Sequence, residues 1–211
     1  RDNPAGANGG FFPGGIGWYR RVIDIPADLG EKEKLIEFDG VYMNSEVYCN
    51  GNFCGKRPYG YSSFCYDITP FVNPGETAVI AVRADNSDQP NSRWYTGSGI
   101  YRHVWLTTVS PLRIGQWGVS IITETINETE ASLQSTTSII NNRSETCVIE
   151  LQSALISSDG SETASAASKA EIGPGEKLDM VSRLIINQPA LWSPETPNLY
   201  ELHTSVISNG S

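Results

Sequence analysis

Residues 77–84, TAVIAVRA, decide the fold, because their apolar side chains fall at both odd and even positions. A strand with one buried face alternates apolar and polar residues, whereas a strand that is apolar on both faces is typical of the centre of a sheet. The stretch follows NPGE, residues 73–76, a turn in which proline presets φ and glycine takes positive φ. We therefore predict a central β-strand that begins after this turn.

Strands of the same kind flank this one on both sides. In WYRRVIDI the side chains of Tyr19, Ile23 and Ile25 fall on one face, since alternate residues of a strand point the same way. Asn50-Gly51 suits a tight type I′ hairpin, which needs positive φ at both central residues. Further strands are predicted at LIEF, SEVYC, SSFCYDI and HVWLTTV.

The composition changes near Ser110-Pro111, beyond which aromatic residues become sparse and Ser, Thr, Asn and Glu dominate. Strands are still predicted at TSIINN, CVIELQSALI, DMVSRLIIN and LYELHTSVI, a spacing typical of an immunoglobulin-like sandwich. ETASAASKAE, residues 162–171, lies between SSDG and GPGE, and we interpret it as a loop with a strand. The chain is therefore predicted to be all-β, with one domain at residues 1–110 and a second at residues 111–211.

Composition and charge narrow the classes of partner. With 211 residues, a net charge of −9 and 12 Pro and 20 Gly, the chain has the profile of a turn-rich globular protein. Nucleic acid is not an expected partner, because phosphate binding needs clustered Lys and Arg. No apolar run approaches the length of a membrane span, so we expect no membrane partner. The chain opens on a polar, Gly-rich stretch that is no signal peptide, which leaves the compartment, periplasm or cytoplasm, open.

The four cysteines, Cys49, Cys54, Cys65 and Cys147, have no CxxC spacing and no neighbouring histidine. Zinc sites are built from such spacings, so we predict no metal site and no cofactor. Buried free thiols are the favoured interpretation. The alternative is a bridge from Cys49 to Cys54 or Cys65, because these residues fall on strands predicted to be adjacent.

Several segments together resemble the amino-terminal sugar-binding domain of glycoside hydrolase family 2, particularly its β-galactosidases. The order and spacing of the segments also fit: GGIGWYRR (14–21), FDGV (38–41), VYCNGNFCGKRPYGYSSFCYDIT (47–69), NPGE (73–76), VRADN (82–86) and NSRWYTGSGIYRHVWL (91–106). PALWSPETPNLYEL, residues 189–202, resembles the closing stretch of the immunoglobulin-like domain that follows in that family. RWYTGSGIYR is the most specific of these motifs, since any sandwich can use the shorter ones.

The resemblance implies a jelly-roll-like (galactose-binding-like) β-sandwich, then an immunoglobulin-like β-sandwich, then a (β/α)₈ barrel that carries the chemistry. The barrel is not in this sequence. The family's retaining mechanism uses two glutamates about 5 Å apart, one as acid/base and one as nucleophile, and both lie in the barrel. We therefore assign no catalytic residue here. β-Glucuronidases and β-mannosidases share the architecture.

The resemblance also implies a substrate-binding role for the loop that contains Asn91, Arg93, Trp94 and Tyr95. Planar donors and amides can recognise sugar hydroxyls, and an aromatic ring can cover the C–H face of a sugar. In family members this loop reaches the barrel's pocket. We therefore predict that Arg93, with Asn91 as the lesser candidate, contacts the sugar in the non-reducing-end subsite. The alternative is that Trp94 and Tyr95 are packing residues and that Arg93 forms a surface ion pair.

The sequence departs from the family's pattern at this loop. Some β-galactosidases of the family have an aspartate at the position of Arg93 and an asparagine at the PGGIG glycines, so their sugar contacts do not carry over. The Gly97-Ser98-Gly99 turn is predicted to shape the loop, because glycine allows close backbone approach and positive φ. Of the two histidines, we interpret His103 as structural and His203 as solvated, sharing a strand face with Glu201 and Ser205.

Two classes of function follow. The first is the non-catalytic amino-terminal part of a retaining β-glycosidase, a β-galactosidase above all, whose partners are a β-galactoside-type carbohydrate and its own barrel. The second is a free-standing carbohydrate-binding module. A strip of exposed aromatic side chains on a flat face would support this second class. An adhesive stalk, the third alternative, would show acidic calcium-type clusters or no ligand site.

Overall fold

The computed structural model describes residue 7, residues 14–88 and residues 97–208. These residues form strands, turns and short 3₁₀ pieces such as Ala27–Leu29 and Thr69–Phe71, and the all-β prediction is confirmed. The chain divides into two compact units, residues 1–110 and residues 111–211. No helix in the described ranges is long and apolar enough to cross a membrane.

The first unit contains nine strands in two main sheets and one small one. Four strands form a sheet in the order β1-β7-β4-β5, three form a sheet in the order β6-β2-β9, and β3 pairs with β8. The strands are β1 (Ile16–Asp24), β2 (Glu33–Phe38), β3 (Val41–Tyr42), β4 (Ser45–Cys49), β5 (Asn52–Arg57), β6 (Phe64–Asp67), β7 (Thr77–Asp85), β8 (Gly99–Ile100) and β9 (Val104–Val109).

Strand β7 lies between β1 and β4 and supplies much of the core of this unit, which confirms the prediction of a central strand. Its inward residues, Ala78, Ile80, Val82 and Ala84, are all buried. On β2, Phe38 stacks on Phe64 with 4.9 Å between ring centroids. The two main sheets thus share one apolar core, as a sandwich requires.

The predicted common face of the first strand is also found. Ile23 and Ile25 pack in the core of the first unit, and Tyr19 lines the same surface depression as Ile23. The outward residues of β1 are exposed, because β1 is an outer strand of its sheet.

The hairpin between β4 and β5 has the predicted geometry. Asn50 has φ +48° and Gly51 has φ +83°, and Cys49 pairs with Asn52 across the two-residue turn. The Asn50 side chain ties the hairpin to its surroundings, since Oδ1 accepts from the Val79 N–H at 2.8 Å and Nδ2 donates to the Phe71 carbonyl at 2.8 Å. Asparagine here therefore both permits positive φ and bonds the turn to β7.

The second unit contains six strands in two three-stranded sheets, ordered β10-β11-β14 and β13-β12-β15. Its core lies between the sheets and includes Leu151, Ile139 and Ile172. The strands are β10 (Leu112–Ile126), β11 (Glu130–Asn141), β12 (Cys147–Ile156), β13 (Glu162–Ile172), β14 (Glu176–Asn187) and β15 (Glu201–Ser208).

We interpreted residues 162–171 as a loop with a strand, and the loop was wrong because the whole segment is a strand. Strand β13 runs unbroken from Glu162 to Ile172 and pairs with β12 over its whole length, with one register shift near Leu155. Ala164 and Ala166 pack against a small apolar cluster that includes Leu184. Alanine suffices at these positions because larger side chains from other strands fill the space.

All four cysteines are free thiols, so the alternative of a bridge from Cys49 to Cys54 or Cys65 does not hold in this structure. Cys49 and Cys147 are buried, and the other two are partly buried. Burial raises the pKa of the Cys54 thiol from 9.0 to about 11. Its reactive thiolate form is therefore suppressed at neutral pH.

The raised pKa of Cys54 predicts a loss of stability in alkali. Below pH 9 the thiol is protonated in both folded and unfolded chains, whereas between pH 9 and about 11 the unfolded chain releases a proton that the folded chain retains. The free energy of unfolding should thus fall as the pH rises through that range. Urea unfolding at about pH 8 and about pH 10 should show a smaller fall for Cys54→Ala than for the unsubstituted chain. Equal falls would contradict this assignment.

The edge strands β1 and β9 leave one side of the first unit open. A depression of about 660 Å³ lies here, lined by residues from both main sheets, among them Tyr19, Ile36 and Leu106. Within the described residues β1 pairs only with β7, and β9 pairs only with β2. The outer edges of these two strands are therefore unpaired in that part of the chain.

Candidate functional site

The residues predicted to bind substrate, Asn91, Arg93, Trp94 and Tyr95, lie outside the described residues. Their role remains a prediction. The structure does describe both ends of the segment that carries them, residues 85–88 and 97–100. The architecture of these ends defines where the segment leaves and rejoins the sandwich.

At the first end, the carboxylate of Asp85 organises the exit from β7. It accepts hydrogen bonds from the Ser87 hydroxyl at 2.6 Å, the Ser87 N–H at 3.1 Å and the Arg83 guanidinium at 2.8 Å. These bonds, those from Ser87 first, lower the pKa of Asp85. The Asp85 N–H donates to the carbonyl of Met43 at 2.9 Å. The chain therefore turns away from the sheet at a defined point.

A buried asparagine joins the two ends. Nδ2 of Asn86 donates to the Ser98 hydroxyl at 2.7 Å, and the Asn86 N–H donates to the carbonyl of Gly15 at 2.9 Å. The segment is thus closed at its base by a direct side-chain contact.

At the second end, Gly99 occupies a position that only glycine fits. Its φ is +84°, and a Cβ there would overlap the Tyr19 hydroxyl. Gly99 also pairs with Tyr42 across the small β3–β8 sheet. Gly99 therefore has the positive φ and the close approach of a neighbouring group that only glycine allows, while the predicted shaping of the loop by this turn stays a prediction.

Four tyrosines cluster beside Gly99, and the sequence analysis did not single them out. The centroid of the Tyr61 ring lies 5.2 Å from Tyr42, 5.9 Å from Tyr59 and 6.3 Å from Tyr101. The Tyr101 hydroxyl donates to the carbonyl of Gly60 at 2.8 Å. Tyr42 is buried, and the other three rings are exposed. The cluster offers apolar ring faces and hydroxyl groups where the predicted substrate-binding segment rejoins the fold.

A second polar group lies at the start of β9. Asp39 accepts a hydrogen bond from Nε1 of Trp105 at 3.2 Å, and Nδ1 of His103 lies 3.6 Å from the same carboxylate oxygen. The rings of His103 and Trp105 are 5.3 Å apart. His103 thus braces a strand end, as its structural interpretation predicts, although 75% of its side chain is exposed.

His203, the second histidine, lies on β15 of the second unit. His203 lies 3.2 Å from Glu201 and both side chains are largely exposed, which agrees with a solvated strand face. The residues that the structure describes contain no group of three or more His, Cys, Asp or Glu side chains placed to hold a metal ion. What this unit offers at the segment's base is therefore hydrogen-bonding groups and aromatic faces.

Comparison with protein-family models gives two matches that together span most of the chain. A model described as the sugar binding domain of glycosyl hydrolases family 2 matches residues 11–110. A second model, described as glycosyl hydrolases family 2, matches residues 113–211. The two matches follow the two compact units of the structure.

Curated relatives include glycosidases of more than one specificity. The chain is 45% identical over 210 residues to beta-galactosidase BoGH2A of Bacteroides ovatus, covering 99% of this chain and 25% of that protein. It is 30% identical to a beta-glucuronidase of Formosa agariphila, covering 91% of this chain and 22% of that protein. The chain therefore spans about a quarter of the length of these relatives.

Solved structures agree in fold. A glycosyl hydrolase family 2 member from Bacteroides cellulosilyticus superposes with a TM-score of 0.90 at 32% identity, covering all of this chain and 27% of that one. The beta-glucuronidase of Bacteroides uniformis superposes with a TM-score of 0.89 at 28% identity, covering 93% of this chain and 25% of that one.

Proposed function

Because the chain belongs to glycosyl hydrolases family 2, we propose that it is the non-catalytic amino-terminal part of a retaining β-glycosidase that removes terminal β-galactosides. The observation that supports this most strongly is the 45% identity to a beta-galactosidase over almost the whole chain. A binding role is also supported by the hydrogen-bonding and aromatic groups at the base of the segment. The catalytic glutamates belong to another part of the enzyme, the (β/α)₈ barrel.

In this proposal the segment between Asn86 and Ser98 extends from the first unit towards the sugar. Its base is closed by the Asn86–Ser98 hydrogen bond. A binding group held in a fixed position orients the substrate, and reaction rates fall steeply when the substrate is poorly oriented. The tyrosine cluster of Tyr42, Tyr59, Tyr61 and Tyr101 lies beside Gly99, close to where the described chain resumes.

A second candidate is a β-glucuronidase of the same architecture, supported by the match to the Formosa agariphila protein. The two sugars differ at C4, where the hydroxyl is axial in galactose and equatorial in glucuronic acid, and at C5, which carries a hydroxymethyl group in galactose and a carboxylate in glucuronic acid. Assays of the full-length enzyme with nitrophenyl β-galactoside, β-glucuronide and β-mannoside should give the highest kcat/KM with the galactoside. A higher value with the glucuronide would overturn the galactosidase assignment, and no hydrolysis of any would overturn the proposed function.

Replacing Arg93 tests its assignment to substrate binding. In the full-length enzyme Arg93→Ala should lower kcat/KM by about tenfold or more, equivalent to about 1.4 kcal/mol of transition-state binding. Arg183→Ala, at an exposed position on β14 of the second unit, should leave kcat/KM unchanged. If Arg93→Ala had the same kcat/KM as the parent enzyme, the assignment of Arg93 to substrate binding would be wrong.

A further inference from the structure

A strip of three aromatic rings crosses the outer face of the four-stranded sheet. Trp18 on β1, Tyr48 on β4 and Phe53 on β5 form it, with 5.9 Å between the first two ring centroids and 5.5 Å between the last two. Trp18 is 61% exposed and Phe53 is 54% exposed. We call these three residues the aromatic strip. The three rings together form a narrow, exposed apolar surface. A contiguous apolar surface marks a contact site more often than scattered apolar residues do.

The strand register explains why these rings meet. Tyr48 pairs with Phe53 on one side and with Ala81 of β7 on the other. Because Ala81 has a small side chain, the rings of Trp18 and Tyr48 approach each other across β7. A shallow depression of about 700 Å³ runs beside them, lined also by Asn50, Gly51 and Val79. The strip is therefore a continuous row of rings with space above it, and neighbouring rings are tilted against each other, by 35° between Trp18 and Tyr48 and by 59° between Tyr48 and Phe53.

A row of charged side chains borders one side of the strip. The Glu46 carboxylate forms ion pairs with Arg83 at 3.8 Å and with Lys56 at 3.5 Å. Arg83 also forms an ion pair with Asp85 at 2.8 Å. The Tyr48 hydroxyl donates to Glu46 at 3.0 Å. This bond, the first cause of the raised pKa of Tyr48, holds the central ring of the strip in place.

Arg20 adds a further hydrogen-bond donor to this surface. It lies on the outer face of β1 directly across from Ala81 and lines the depression beside Trp18. In the described part of the chain it makes neither an ion pair nor a hydrogen bond that would occupy its guanidinium. Its planar donors are therefore available to a ligand that covers the aromatic strip.

We propose that the aromatic strip, with Arg20, binds a β-linked glycan chain. Sugar rings have apolar C–H faces that can lie on aromatic rings, and hydroxyl edges that can accept from Arg20 and from the charged row. A protein partner with an apolar face suits this surface less, because covering a strip one ring wide would also desolvate the adjacent ion pairs. A glycan can leave those pairs hydrated. The inference does not depend on hydrolysis of the glycan.

The test uses the 211-residue chain and two soluble probes, β-1,4-linked galacto-oligosaccharides and gluco-oligosaccharides. Calorimetric titration should detect binding of at least one probe, and Trp18→Ala/Phe53→Ala should weaken it by about tenfold or more. Trp192→Ala removes an equally exposed tryptophan from the second unit and should not change the affinity. Urea unfolding should give the same midpoint for all three proteins, because every substituted side chain is largely exposed.

Three outcomes would overturn the proposal. The first is no measurable affinity for either probe, and the second is equal affinity of the double variant and the unsubstituted chain. The third is that the chain sediments as a dimer that the double variant loses, with no sugar affinity, which would make the strip a contact between copies. None of these outcomes bears on the hydrolysis assays of the full-length enzyme, so the two proposals fail separately.

Discussion

Asn141→Ala should lower the free energy of unfolding of the second unit by about 3–5 kcal/mol, because it leaves several buried backbone groups without partners. Asn141 is 0% exposed at the end of β11. Its Nδ2 donates to the carbonyls of Glu145 at 2.9 Å, Ile172 at 3.0 Å and Gly173 at 3.0 Å. Its Oδ1 accepts from the Arg143 N–H at 3.0 Å. One side chain thus joins the β11–β12 connection to the end of β13.

Urea unfolding followed by circular dichroism measures this loss, since the five tryptophans are spread over both units and their fluorescence does not report on the second unit alone. Asn187→Ala is the matched control, since Asn187 ends the neighbouring strand β14 in an exposed position, and it should change the unfolding free energy by less than about 0.5 kcal/mol. If Asn141→Ala proved as mild as the control, water would have to replace the amide, and the structural role assigned to Asn141 would be wrong.

Phe38→Ala should destabilise the first unit by about 3–5 kcal/mol, the usual cost of removing a fully buried phenylalanine. Phe38 is 1% exposed at the end of β2 and stacks on Phe64 between the two main sheets. The neighbours cannot collapse into the space easily, because they are held by the strand pairing of β2 with β6 and β9. The substitution therefore leaves a cavity in addition to losing apolar burial.

Phe53→Ala serves as the control for this substitution, since it removes the same ring from a position that is 54% exposed. Its unfolding midpoint should stay close to that of the unsubstituted chain, while Phe38→Ala shifts the midpoint to lower urea concentration. Similar midpoints for the two variants would show that the ring of Phe38 contributes little to the core. That result would place the centre of the sandwich elsewhere.

The strands of the first unit could be predicted because their residues alternate with strand period and their turns carry specific chemistry. TAVIAVRA became the central β7, and Asn50-Gly51 became the hairpin between β4 and β5. Strand β13 was harder to predict from the sequence. Its alanines carry little hydrophobic signal, and their packing against residues such as Leu184 depends on a partner sheet that the local sequence does not show.

One candidate site could be predicted from the sequence, and two others could not. Segment 91–95 was singled out by its composition and by its resemblance to a family, and its substrate contacts stay a prediction. The tyrosine cluster could not be predicted, because Tyr42 of β3 and Tyr101 after β8 meet Tyr59 and Tyr61 of the β5–β6 connection only through the fold. The same holds for the aromatic strip, whose rings meet only through the register of four paired strands.

Among the residues that the structure describes, the outer edges of β1 and β9 are unpaired, which has a consequence for handling the chain by itself. An exposed strand edge presents backbone N–H and C=O groups that can recruit a strand of another molecule. The exposed Val104 and Leu106 on β9 add apolar side chains to that edge. We expect the 211-residue chain to aggregate as its concentration rises, which turbidity measurements would detect. Charged substitutions such as Val104→Lys should reduce this aggregation.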